Sequence, residues 1–144
     1  MKASEQLIEK LKEFEGLRRV AYRCPAGVWT IGYGHTAGVR RGMTIDEREA
    51  DGLLREDLKM VEAAVNGLGV CAKQCEFDAL VSFAFNLGVQ ALKGSTLLKC
   101  IERGDGKRDI QRQFRRWVYS DGKVLAGLVK RREWEARRFC DEEV

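Results

Sequence analysis

A chain of 144 residues is long enough for one domain with a sizeable buried core. Hydrophobic residues at 44% and charged ones at 33% describe a globular protein rather than a disordered one, and no run approaches the roughly 18 apolar residues that cross a bilayer. The net charge of +4 suits an anionic polymer, yet no zinc finger, aromatic RNA-binding signature or long basic run points to nucleic acid. From Lys107 onward, 11 Lys and Arg stand against 7 Asp and Glu, the pattern of a solvated, salt-bridged helical face.

In chain order, the opening MKASEQLIEKLKEFEG interleaves charged and apolar residues, so it reads as neither a signal peptide nor a membrane anchor. The expectation is synthesis in the cytoplasm, with any role outside depending on release by another component. Leu7, Ile8, Leu11 and Phe14 keep the spacing of one helical face from Ser4 to about Phe14, and Gly16 ends that helix. Val20 to Gly42 changes character, with β-formers between five glycines. It predicts strands over Val20–Arg23 and Val28–Gly32 and a third near His35–Val39.

Thr44-Ile-Asp-Glu47 has the form of a capping box opening a long helix, whose buried stripe is Ile45, Ala50, Leu53, Leu54, Leu58, Val61 and Val65 and which ends at Asn66-Gly67. Gln74 to Leu87, stopped by Gly88, is apolar on nearly all sides and predicts the central core helix. Shorter helices are expected around Thr96–Arg103, Asp109–Tyr119 and Leu128–Phe139, separated by Gly-Asp-Gly and Ser-Asp-Gly turns. The sum is a single α+β, mostly helical domain over residues 1–144. It has a small β lobe at about 16–43 and a helical lobe at about 44–144 that includes the N-terminal helix.

Five cysteines stand at positions 24, 71, 75, 100 and 140, an odd number that leaves at least one thiol free in a monomer. With His35 the only histidine, zinc is weakly supported, and no metal or cofactor is expected. Most of these thiols read as small buried hydrophobes. Glu15 is different. It closes the first helix beside Phe14 and Leu17, and a carboxyl with apolar neighbours keeps its proton more readily, as a general acid must.

Eight residues separate Glu15 from Cys24, and five separate Cys24 from Thr30, which lies in TIGYGHT. The whole segment FEGLRRVAYRCPAGVWTIGYGHT resembles the catalytic segment of the phage-type lysozymes of glycoside hydrolase family 24. LVSFAFNLG (Leu80–Gly88), GSTLL (Gly94–Leu98) and GLVKRRE (Gly127–Glu133) are similar to that family's later words, in the same order.

The resemblance implies a lysozyme-like fold and hydrolysis of the β-1,4 bond between N-acetylmuramic acid and N-acetylglucosamine in peptidoglycan. It implies Glu15 as the proton donor to the leaving oxygen, Cys24 where many relatives have Asp, and Thr30 as the residue holding the attacking water or the second group. An unperturbed thiol, with a pKa of about 8.5, is mostly protonated at neutral pH, and Arg18, Arg19 and Arg23 are the candidates to lower it. Base, nucleophile and electrostatic support all stay open for Cys24. His35 is expected to buttress the β lobe or meet substrate, Asn86 to reach the cleft, and Arg131 and Arg132 to face Glu15 from the last helix. Trp29, Trp117 and Trp134 are candidates for sugar stacking, with core packing favoured for at least two.

A monomeric endolysin follows, released through a holin, acting on the cell wall or periplasm, with no nucleic-acid partner and no membrane anchor. Two other readings stay open on the sequence. A lytic transglycosylase would also use one Glu, and a wall-binding module would have lost its chemistry. A disulfide that masks Cys24 is a further option, with an always-free Cys24 preferred.

Overall fold

A computed structural model describes residues 1–142. Its order is α1 (Glu5–Glu15), β1 (Arg18–Arg23), β2 (Trp29–Gly32), α2 (Glu47–Leu68), α3 (Gln74–Leu87), α4 (Val89–Lys93), α5 (Thr96–Arg103), α6 (Lys107–Arg115), β3 (Tyr119–Ser120), β4 (Lys123–Val124) and α7 (Ala126–Phe139). The chain divides into two compact units, Glu5–Met60 and the remainder from Val61 with Met1–Ser4. The α+β, mostly helical class agrees with the sequence reading.

In the first unit α1 buries Leu7, Ile8 and Leu11 of the stripe its spacing predicts, while Phe14, the fourth, is half-buried. Its polar face is tied to α2: Arg55 donates to both carboxylate oxygens of Glu5 at 2.7 and 2.8 Å, and Lys12 meets Asp51 at 2.7 Å. β1 and β2 pair antiparallel, with Tyr22 opposite Thr30 and Arg23 opposite Trp29, and a bulge lies between Arg18 and Tyr22. The expected third strand does not form. It is reduced to one bridge, in which Ile31 and His35 exchange both backbone hydrogen bonds at 2.9 Å. Gly32 and Gly34, at φ +66° and +89°, turn the chain too sharply between those residues for a strand to continue.

The cap of α2 also differs from expectation by two residues. Thr44 is held in a bridge to Val20, and the reciprocal box is Asp46 with Glu49: Asp46 Oδ1 accepts from the Glu49 amide at 2.7 Å, and Glu49 Oε1 from the Asp46 amide at 3.3 Å.

In the second unit α3 is the core. Its residues from Phe77 to Ala84 are all buried, including Asp78 and Ser82. Asp78 is satisfied by Ser4, Gln74 and Arg138. Phe83 packs in T-shaped geometry with Phe114 and with Trp117. Ser95 caps α5 by accepting from the Leu98 amide at 3.0 Å.

α6 ends at Arg115, short of the expected Tyr119, because a hairpin takes over. Tyr119–Ser120 pairs with Lys123–Val124 across Asp121-Gly122, both at positive φ. Cys75, Cys100 and Cys140 are buried as expected, and all five thiols are free.

Candidate active site

Glu15, Cys24 and Thr30 all belong to the first unit. Glu15 is the last residue of α1 and is partly buried. The loop after β2 closes against its carboxyl: a methyl group at Gly34 would lie 3.5 Å from Glu15 Oε2. Gly34 therefore approaches the acid without setting a side chain of its own against it.

Cys24 ends the hairpin's first arm at a tight turn. Its amide donates to the Val28 carbonyl at 2.9 Å, and the Gly27 amide returns to the Cys24 carbonyl at 2.8 Å. Within this turn the pKa of the Cys24 thiol is lowered. The Val28 amide contributes most, partial burial opposes it, and the Ala26 amide, the Thr30 hydroxyl and the residue's own amide add to the lowering. The expected cause was the arginines, and that part is corrected. Arg18 lies over the Tyr22 ring at 4.3 Å, Arg23 over Trp29 at 5.5 Å, and Arg19 pairs with Glu47 at 3.7 Å. Backbone amides and the Thr30 hydroxyl lower the Cys24 pKa instead.

Thr30 is 4% exposed and points along the same turn, donating to the Val28 carbonyl at 3.0 Å. Its one hydroxyl proton thus has two acceptors at hand, the Val28 carbonyl and the Cys24 sulfur.

His35 stands as a buttress. Its Nδ1 lies 2.9 and 3.0 Å from the two Asp57 oxygens and its Nε2 2.9 Å from the Ala37 carbonyl, so the loop that bears Gly34 is tied to α2. Asp57 was not singled out from sequence, being one of several acids on a helix and 22 positions beyond His35.

Of the remaining expected residues, Trp29 lies in the first unit and Asn86, Trp117, Arg131, Arg132 and Trp134 in the second. Asn86 is exposed in the last turn of α3. Arg131 and Arg132 are buried on α7, where Arg132 pairs with Glu135 at 2.6 Å and Arg131 donates to the Ser82 carbonyl at 3.0 Å. Trp134 packs in the core at 6% exposure, while Trp29 and Trp117 are half-buried. No group of three or more metal-binding side chains occurs among the described residues.

The family model for phage lysozyme matches residues 12–135. The chain is 40% identical to an endolysin of Acyrthosiphon pisum secondary endosymbiont phage 1, covering 96% of this chain and 98% of that one. It is 43% identical to an endolysin of Bacillus phage B103, of whose length it covers 56%. Among solved structures, the muramidase domain of SpmX from Asticaccaulis excentricus superposes with a TM-score of 0.88 at 40% identity, over 96% of this chain and 97% of that one. An endolysin from Escherichia coli O157:H7 phage FAHEc1 gives 0.87 at 37%, over 98% and 94%. With the Glu15, Cys24 and Thr30 frame inside the matched span, the chain belongs to the phage lysozyme family and is a peptidoglycan-degrading glycoside hydrolase of the endolysin type.

Proposed function

We propose that the enzyme cleaves the β-1,4 bond from N-acetylmuramic acid to N-acetylglucosamine, with Glu15 as general acid and Cys24 and Thr30 serving the attacking side. The carrying observation is the turn at Cys24. A thiol surrounded by the amides of Val28 and Ala26 and by the Thr30 hydroxyl is held toward thiolate, the anionic form that a base or nucleophile must take. Glu15 donates its proton to the glycosidic oxygen as the bond to the anomeric carbon breaks. Water, activated through Cys24 and held by Thr30, supplies the hydroxyl that completes the product.

His35 acts through the loop rather than on substrate. The enzyme works as a monomer, made in the cytoplasm and passed to the wall by a pore-forming holin. In support of a separate release step, no helix among the described residues is long and apolar enough to cross a membrane.

Lysis of purified peptidoglycan by wild type, Glu15→Gln, Cys24→Asp and Cys24→Ala, with mass spectrometry of the fragments, tests the assignment. Reducing ends, no turnover by Glu15→Gln, and activity in Cys24→Asp but not in Cys24→Ala are expected. A 1,6-anhydro product would replace hydrolysis by transglycosylation, and equal rates for the two Cys24 variants would make that residue structural.

A further inference from the structure

The stretch from Gly16 to Ile45 carries five arginines, at positions 18, 19, 23, 40 and 41, and no Lys, Asp or Glu. All five are exposed. The whole chain is only +4, so the residues outside this stretch sum to a slightly negative charge. The C-terminal tail is also rich in bases, but there they are mixed with acids and paired, Arg112 with Asp109 at 3.5 Å and Arg115 with Glu133 at 2.8 Å. Of the five arginines in the small lobe, Arg19 alone meets a carboxylate among the described residues, Glu47 at 3.7 Å. A surface of one sign with so little counter-charge of its own draws anions toward it.

The backbone gathers these residues in the first unit. β1 pairs with β2, where Arg23 stands directly opposite Trp29. β1 also meets Met43–Ile45: the Ala21 amide donates to the Met43 carbonyl and the Ile45 amide to the Arg19 carbonyl, each at 2.9 Å. A turn closed by the Met43 amide on the Arg40 carbonyl at 3.2 Å sets Arg40 and Arg41 at that edge.

Two of the guanidiniums lie on rings, Arg18 over Tyr22 at 4.3 Å and Arg23 over Trp29 at 5.5 Å. Stacking of this kind orders them before any ligand arrives. Val20 and Val28, next to Arg19 and Trp29 in the chain, are 58% and 46% exposed. Charge, amphipathic rings and bare apolar side chains thus share one small lobe.

We propose that this basic surface of the small lobe docks on an anionic lipid bilayer. Guanidinium forks match lipid phosphates with paired hydrogen bonds, and the Tyr22 and Trp29 rings suit the depth of the headgroups. Val20 and Val28 gain from contact with lipid, which a fully hydrated phosphate polymer does not offer them. The attachment is peripheral and electrostatic, and it needs no membrane-spanning segment. It keeps the hydrolase at the bilayer surface, beside the wall.

Co-sedimentation of the full chain with phosphatidylglycerol–phosphatidylethanolamine vesicles tests this, with phosphatidylcholine vesicles as the neutral control. No glycosidic bond is cut, so the outcome is independent of whether Glu15 is the acid. Binding to the anionic vesicles alone is expected, weakening as salt is raised. Arg40→Gln combined with Arg41→Gln should lower the partition coefficient about 30-fold, roughly fivefold for each arginine. Arg108→Gln combined with Arg112→Gln removes the same charge from α6 and should bind as wild type does. Equal binding to neutral vesicles, salt-independent binding, no loss in the Arg40 and Arg41 variant, or an equal loss in the α6 variant would each overturn the proposal. So would tighter binding to a soluble glycerol phosphate polymer than to the vesicles, which would assign the surface to a phosphodiester chain.

Discussion

Glu135→Gln keeps the shape of the buried side chain and removes its charge. In the folded protein Glu135 and Arg132 are both fully buried. Arg132 Nε lies 2.6 Å from Oε1, its Nη2 donates to Oε2 at 2.9 Å, and Arg131 Nε lies 3.5 Å from Oε2. A guanidinium does not shed its proton inside a protein, so the variant traps an uncompensated cation. Breaking a buried pair in this way costs about 3–5 kcal/mol.

For a domain near this size each kcal/mol moves Tm by about 2–4 °C, so the midpoint should fall by roughly 10 °C. Urea unfolding followed by circular dichroism reads the loss directly, with an unchanged slope marking a stability effect. A loss under about 1 kcal/mol, the worth of an exposed pair, would refute the reasoning.

The companion Arg132→Met behaves differently, because a carboxyl can take up a proton. Burial holds the Glu135 pKa above its ordinary value, and removing Arg132 takes away an opposing influence. With the folded value above the unfolded one, the unfolded chain loses its proton first as pH rises. The variant's stability should therefore be nearly preserved near pH 4 and fall on the way to pH 7. A flat dependence would contradict this.

Other outcomes follow from the first unit. At pH 7.5 iodoacetamide should modify Cys24 first, with an apparent pKa below that of a free thiol. Burial pushes the Cys71 thiol up to about 11 and raises those of Cys100 and Cys140, so equal labelling of Cys71 in a peptide map would count against the turn's effect. Gly34→Ala meets a backbone at φ +89° and sets a methyl beside Glu15 Oε2. It should cost about 1–2 kcal/mol in thermal unfolding and lower kcat on peptidoglycan, whereas a wild-type kcat would show that the Gly34 side of Glu15 is unimportant. Asp57→Asn weakens the tie to His35 and should lower Tm by a few degrees while leaving KM unchanged; a raised KM would place the loop in substrate contact.

The bounds of α3 and α5 were legible because each carries its own stop or cap, Gly88 for one and Ser95 with Gly104 for the other. The start of α2 was ambiguous in the letters themselves. Thr44-to-Glu47 and Asp46-to-Glu49 both satisfy the capping pattern, and only the pairing of Thr44 with Val20 decides between them. The hairpin at Tyr119 was missed although Asp121-Gly122 is a strong turn signal, because strands of two exposed residues leave no alternation to read.

At the candidate site, the resemblance of the Glu-x8-Cys-x5-Thr frame to the family's pattern picked out Glu15, Cys24 and Thr30 as a set. It did not identify what lowers the Cys24 pKa, since the chief donors are backbone amides and carry no letter of their own. The burial of Arg131 and Arg132 did have a local signal. Glu135 follows at four and three positions, the separations that meet on one helical face.

The continuous burial of α3 from Phe77 to Ala84 bears on how this sequence is free to drift. A helix with one wet face can exchange residues there at little cost, but this stretch has none. Every apolar replacement changes a filled volume, and every change at Asp78 or Ser82 leaves Arg138 or Glu135 without a partner it now has. Variation in this unit must therefore come in compensated pairs along α3 and α7, while the exposed positions of α5 and α6 remain open to single steps.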